Sequence, residues 1–220
     1  KRSASVINSY LDRLGGELNA FTTKEEIVFH ATVLKEDLPK AASLLFELAT
    51  CPTFPEHEIN TEKGVVIDEI HSYKDSPSED IFDKFEEMLF EGHPLSGPIL
   101  GTTASVKKIT RDELLRFVKE KFIPCKMAFT IVADIDEKKM EKDVRKLIDR
   151  FFAKASEVPC LQSHECTDRS SNPYPCSNYS TPELRKFDKT LSKRNQQANC
   201  ITGGLAPSLY QERERLATVL

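Results

Sequence analysis

Two carboxylates, Glu62 and Glu69, stand seven residues apart in the stretch TEKGVVIDEI. A carboxylate can ligate a metal, orient another ligand or carry a proton, and the backbone decides whether two of them act together. On an α-helix, at about 100° per residue, this spacing brings the two acids within about 20° of each other and sets their backbones about 10 Å apart along the axis. Ile59, Val66, Ile70 and Tyr73 form an apolar stripe on that helix, and both acids fall on its shoulder. A shoulder carboxylate reaches into a cleft while the stripe packs. The same spacing also suits two boundary acids in surface salt bridges, so the geometry leaves both readings open. His71 lies on the far side of the helix and does not join them.

The histidines are His30, His57, His71, His93 and His164. No two stand at i, i+4, so no helix here carries a paired-His zinc motif of its own. His30 falls on the more polar side of a strand pattern, and His93 sits in a turn between Gly92 and Pro94. Cys160, His164, Cys166 and Cys176 cluster in one irregular stretch. They could hold a structural zinc, although their spacing matches no common C-x2-C pairing. Six cysteines in 220 residues are too sparse for a disulfide scaffold, which points to a reducing compartment, the cytoplasm. Asn178-Tyr179-Ser180 is a glycosylation sequon that matters only in a secreted protein. Phosphate-cradling glycine loops and the G-x-S-x-G nucleophile turn are absent.

The elements that must position these residues follow from periodicity. Ile7, Tyr10, Leu11 and Leu14 mark a first helix, stopped by Gly15-Gly16. Glu17–Thr23 and Glu25–Leu34 alternate as strands. Asp37 is the expected cap of a helix carrying Leu38, Ala42, Leu45 and Leu48. Pro55 opens the helix of the two acids, which runs to about Lys74. Capping boxes are expected at Ser76–Glu79 and Thr110–Glu113, each opening a further helix. Met127–Ala133 reads as a buried strand, and Asp136 starts a helix with Met140, Val144, Leu147, Ile148 and Phe151 on one face. From about Ala153 the pattern fails until Lys186–Lys193 and Gln197–Thr202, read as strands, and Ser208, which starts another helix. Paired neighbouring strands with grouped helices predict an α+β fold, with helices on one face of a mostly antiparallel sheet.

A hydrophobic share of 39% supports a sizeable core, and the net charge of −4 without a basic block argues against nucleic-acid binding. No apolar run approaches the ~20 residues of a membrane span. Lys1 stands directly before one helical pattern and Leu220 inside another, so both ends read as cut from a longer protein.

Three stretches, LGGELNAFTTKEEIVFHATVLKEDLPKA, PTFPEHEINTEKGVVIDEI and HPLSGPILGT, together resemble the insulinase/pitrilysin zinc peptidases, most of all the subgroup of mitochondrial processing peptidase and its bacterial relatives. The resemblance covers Lys1 to about Phe152 and resumes from Phe187 to Leu220. It implies a first peptidase-like domain over 1–152 that lacks its initial strands, a linker over 153–185, and the start of a second homologous domain over 186–220. In that family the motif H-x-x-E-H supplies two zinc ligands and the general base. Its register falls before Lys1. The resemblance makes Glu69 the third zinc ligand and Glu62 the acid that supports it. It makes Asn19, Ala20 and Phe21 part of an edge strand that pairs with substrate. The implied parent is a zinc metalloendopeptidase acting on peptides or unfolded proteins. Its partner would be the rest of a two-domain protein or a homologous subunit. This chain alone would be inactive and would bind no zinc at Glu69. The rival reading is a non-catalytic homologue serving as a partner or structural subunit.

Overall fold

The computed structural model describes residues 4–152, 186–193 and 197–204. Among them are α1 (Ala4–Asp12), β1 (Glu17–Thr22), β2 (Ile27–Thr32), α2 (Leu38–Thr50), α3 (Glu56–Asp75), α4 (Pro77–Leu89), α5 (Thr103–Lys108), α6 (Arg111–Lys121) and α7 (Glu137–Phe152). The fold is α+β and mainly helical, with one two-stranded antiparallel sheet among the described residues. Two compact units divide the chain: 1–67 with 99–181, and 68–98 with 182–220.

In the first unit, α1 ends in a glycine-dependent reversal. Gly15 has φ +68°, and the amides of Gly15 and Gly16 donate back to the carbonyls of Asp12 and Leu11. A Cβ at Gly16 would lie 2.6 Å from Val33 Cγ1 and 2.8 Å from the Thr32 carbonyl oxygen, so only hydrogen fits there. The hairpin follows in the register Glu17↔Thr32 to Thr22↔Ile27. Leu18, Ala31 and the neighbouring Val33 pack on a core of Leu11, Ala41 and Leu44 from α1 and α2. The opposite face, with Asn19, Phe21 and His30, is exposed. Helix α2 also buries Phe46, whose ring meets Phe129 at 4.9 Å, Phe151 at 5.7 Å and Phe152 at 6.0 Å. These rings fasten α7 and the segment before it to α2.

In the second unit, Phe85 of α4 meets Phe187 edge-on at 5.3 Å, and Asp80 pairs with Lys193.

Several expectations need correction. Met127–Ala133 is not a strand, and Val132 is almost fully exposed. A strand is held by ladder hydrogen bonds to a neighbour, and among the described residues none lies beside this run. Phe129 instead packs on Phe46. The described parts of 186–193 and 197–202 likewise form no strand; Phe187 and Lys193 are spent on α4. Ser76 makes no side-chain cap, because its hydroxyl faces that of Ser78 at 3.3 Å. Asp37 stands at the start of α2 but gives its carboxylate to Lys40 at 2.6 Å. The linker cysteines with His164, the sequon, and the helix expected from Ser208 lie outside the described residues.

Candidate functional site

Helix α3 begins from an unusual backbone. Phe54 has φ +43°, in the left-handed region that glycine favours, and such a residue costs of order 1–3 kcal/mol. The carbonyls around it are held from a distance. Arg111, the first residue of α6, donates from Nε to the Phe54 carbonyl at 3.0 Å and from Nη2 to the Thr53 carbonyl at 3.2 Å. About two turns into α3, Lys63 donates to the Lys107 carbonyl at 3.2 Å.

Arg111 is itself placed by a capping box. Glu113 accepts from the Thr110 amide at 2.8 Å and from its hydroxyl at 2.9 Å, while the Thr110 hydroxyl accepts from the Glu113 amide at 3.3 Å. These Thr110 donors, the backbone amide foremost, hold the Glu113 carboxyl below the usual carboxylate range. The box expected from the sequence is therefore present.

Glu62 and Glu69 both project from α3 as exposed side chains. The stripe beside them grades along the helix: Ile59 and Val66 are half-buried, Ile70 is buried and Tyr73 is exposed. Neither acid forms an ion pair with a described residue. No three His, Cys, Asp or Glu side chains cluster as a metal site among the described residues. Catalytic zinc takes three protein ligands and an open position. The acids fit such a site as contributors, and the described donor set does not complete it.

The hairpin edge is resolved residue by residue. The Thr23 amide donates to the Glu26 carbonyl at 2.8 Å, which makes that pair a hydrogen-bonded one. In an antiparallel ladder the pairs alternate. Phe21/Val28, Asn19/His30 and Glu17/Thr32 then exchange main-chain bonds, and Leu18, Ala20 and Thr22 turn their amides and carbonyls to the open edge. Asn19 Oδ1 accepts from the Ala20 amide at 2.8 Å, which fits that direction. Of Asn19, Ala20 and Phe21, only Ala20 offers its main chain at the edge. Asn19 and Phe21 offer side chains on the exposed face, where the Phe21 ring lies 6.1 Å from that of His30.

The four described histidines lie apart from one another in the structure or on the surface. His30 is exposed, and His93 Nδ1 accepts from the Leu95 amide at 3.2 Å as it turns the chain after α4. His57 sits 3.3 Å from Glu58, and His71 is exposed. Sequence reasoning missed Arg111 and Lys63 as the residues that tie α3. Their partners lie 57 and 58 residues away for Arg111 and 44 for Lys63, beyond any local pattern.

Solved structures share this fold. The peptidase M16 inactive domain from Pseudomonas fluorescens aligns with a TM-score of 0.62 at 19% identity, over 66% of this chain and 36% of that one. A protease from Helicobacter pylori aligns with a TM-score of 0.58 at 23% identity, over 66% and 35%. The chain thus shares its fold with these structures. In sequence, residues 1–103 match the model of the insulinase family (peptidase family M16), and residues 108–220 match that of the peptidase M16 inactive domain. The chain belongs to the insulinase family. It is 33% identical over 216 residues to an uncharacterized zinc protease of Streptomyces coelicolor, covering 98% of this chain and 44% of the relative. It is 33% identical over 212 residues to the uncharacterized zinc protease YmxG of Bacillus subtilis, covering 96% and 47%. The chain therefore spans less than half the length of these two relatives.

Proposed function

We propose that this chain is part of a zinc metalloendopeptidase whose H-x-x-E-H motif lies ahead of Lys1 in a longer protein. The observation that carries the reading is the pair Glu62 and Glu69, aligned on α3, exposed, and without ion pairs to described residues, in a chain of the insulinase family. When bound, zinc polarises the scissile carbonyl and activates water. Glu69 ligates the metal through its carboxylate. Glu62, two turns earlier on the same side, supports that ligation.

The open edge of β1 takes an extended peptide as an added strand, through the main-chain groups of Leu18, Ala20 and Thr22. Main-chain pairing tolerates many sequences, so peptides and unfolded segments are the substrate class. Asn19 and Phe21 meet substrate from the exposed face. Alone, the chain offers one principal ligand of the three and no general base. It is expected to bind no zinc at Glu69 and to cleave nothing. Residues 1–152 are read as a first domain, 153–185 as a linker and 186–220 as the start of a second homologous domain. The compartment is read as a reducing one from the sparse cysteines of the sequence alone.

The rival, a non-catalytic partner subunit, draws support from the match of residues 108–220 to a model described as an inactive domain. The test is zinc content and peptide cleavage of the full-length protein carrying Glu69→Gln or Glu62→Gln. Glu69→Gln should lower zinc affinity by more than about 100-fold and abolish cleavage. Glu62→Gln should cost about 10–100-fold, the range typical of groups that orient a ligand. Full zinc and full cleavage in Glu69→Gln would refute the ligand assignment. Full zinc with no cleavage in the unmodified full-length protein would favour the rival.

A further inference from the structure

We propose that Arg111 is a positioning residue for the metal-ligating helix: it clamps the backbone ahead of α3 and so fixes where the α3 acids point. The inference rests on the ligand role proposed for Glu69. Phe54 is held against two preferences at once. Its φ of +43° lies where bulky side chains are rare, and the residue before a proline, here Pro55, favours extended backbone. Left alone, the chain at Phe54 would relax to negative φ and turn the whole entry into α3. The Arg111 fork opposes this by holding two successive carbonyls, those of Thr53 and Phe54. A planar guanidinium can hold both in one geometry, whereas an ammonium is a single point donor. Lys63, next to Glu62, ties the same helix to the Lys107 carbonyl near the end of α5, so the approach to α3 and its second turn are fastened to the stretch from the end of α5 to the start of α6. A continuous helix transmits a shift at its start to every residue along it.

The experiment combines Arg111→Met, which keeps the stem but removes the donors, with Phe54→Gly, which adopts the left-handed backbone freely. Two readouts are taken well below each variant's unfolding temperature: zinc affinity of the full-length protein by chelator competition, and amide hydrogen exchange over residues 56–63. Arg111→Met should weaken zinc by about 10-fold and speed that exchange by about 5-fold or more. Arg111→Lys should fall between it and the unmodified protein. With Phe54→Gly already present, adding Arg111→Met should change either readout by less than about 2-fold, because no strained backbone remains to hold. Faster exchange with unchanged zinc affinity makes Arg111 merely structural and overturns the inference. So does an Arg111→Met loss equally large in the Phe54→Gly background, or no change in either readout. Glu69→Gln is measured alongside. Zinc unchanged there sinks the ligand role and this inference with it. Zinc lost there but unchanged in Arg111→Met overturns the present inference alone.

Discussion

Helix α2 buries Ala41, Ala42, Leu44, Phe46 and Ala49 within thirteen residues, whereas α3 buries only Ile70 within twenty. Both are well-formed helices in one chain. The first is held by side chains that exclude water from the hairpin and from α7. The second is held by hydrogen bonds from Arg111 to the backbone just ahead of it and from its own Lys63 to α5, and its acids stay in solvent. Burial thus identifies the helix that supports the fold. On α3, Glu62 and Glu69 are exposed and form no ion pair with a described residue, which fits the ligand role proposed for Glu69.

The largest expected effect lies in α2. Leu44, with 1% of its surface exposed, loses its packing in Leu44→Ala, and urea denaturation should register a loss of about 2–5 kcal/mol. A loss below about 1 kcal/mol would mean that α2 is not the core element described here. A smaller effect sharpens the dependence of α3 on its surroundings. Thr110→Ala removes the cap that places Arg111 and should cost about 0.5–2 kcal/mol. Ser76→Ala, which removes no side-chain cap bond, should cost less than about 0.5 kcal/mol in the same assay. Equal losses would show that the two serine/threonine caps do not differ as described.

The smallest effects belong to the surface of α3 and to pH. Val65 is 53% exposed, so Val65→Ala should stay within about 0.5 kcal/mol of the unmodified protein. A loss as large as that of Leu44→Ala would erase the contrast between the helices. Glu113 has a folded pKa lowered by the Thr110 amide and hydroxyl. Its contribution is therefore present above the ordinary glutamate value of about 4.3 and is lost as pH falls through the lower folded value. The stability gap between the unmodified protein and Thr110→Ala should narrow across that acidic window, read from urea midpoints. A gap that widens on acidification would reverse the assigned sign.

Long periodic segments were legible in the sequence because one helix or one hairpin carries its own signal. The acid-bearing helix, the Gly15-Gly16 stop, and the box at Thr110–Glu113 all follow from residues within a few positions of each other. Partnership across the chain was not legible. The apolar run Met127–Ala133 has the composition of a buried strand, but composition does not supply the neighbour that a ladder needs. The Ser76 motif is satisfied by local hydroxyl pairing with Ser78, which the same residues permit equally well. For the candidate site, the alignment of Glu62 with Glu69 came from helical spacing. Their exposure, their lack of ion pairs among the described residues, the outward main chain of Ala20, and the Arg111 clamp became visible only in three dimensions.

The most direct measurement of the central claim is a crystal structure of the full-length protein with zinc bound. A Glu69 carboxylate oxygen should lie about 2.0–2.2 Å from the metal, the distance of a carboxylate ligand, with Glu62 nearby but not the principal ligand. A fully coordinated zinc with Glu69 left in solvent would contradict that claim.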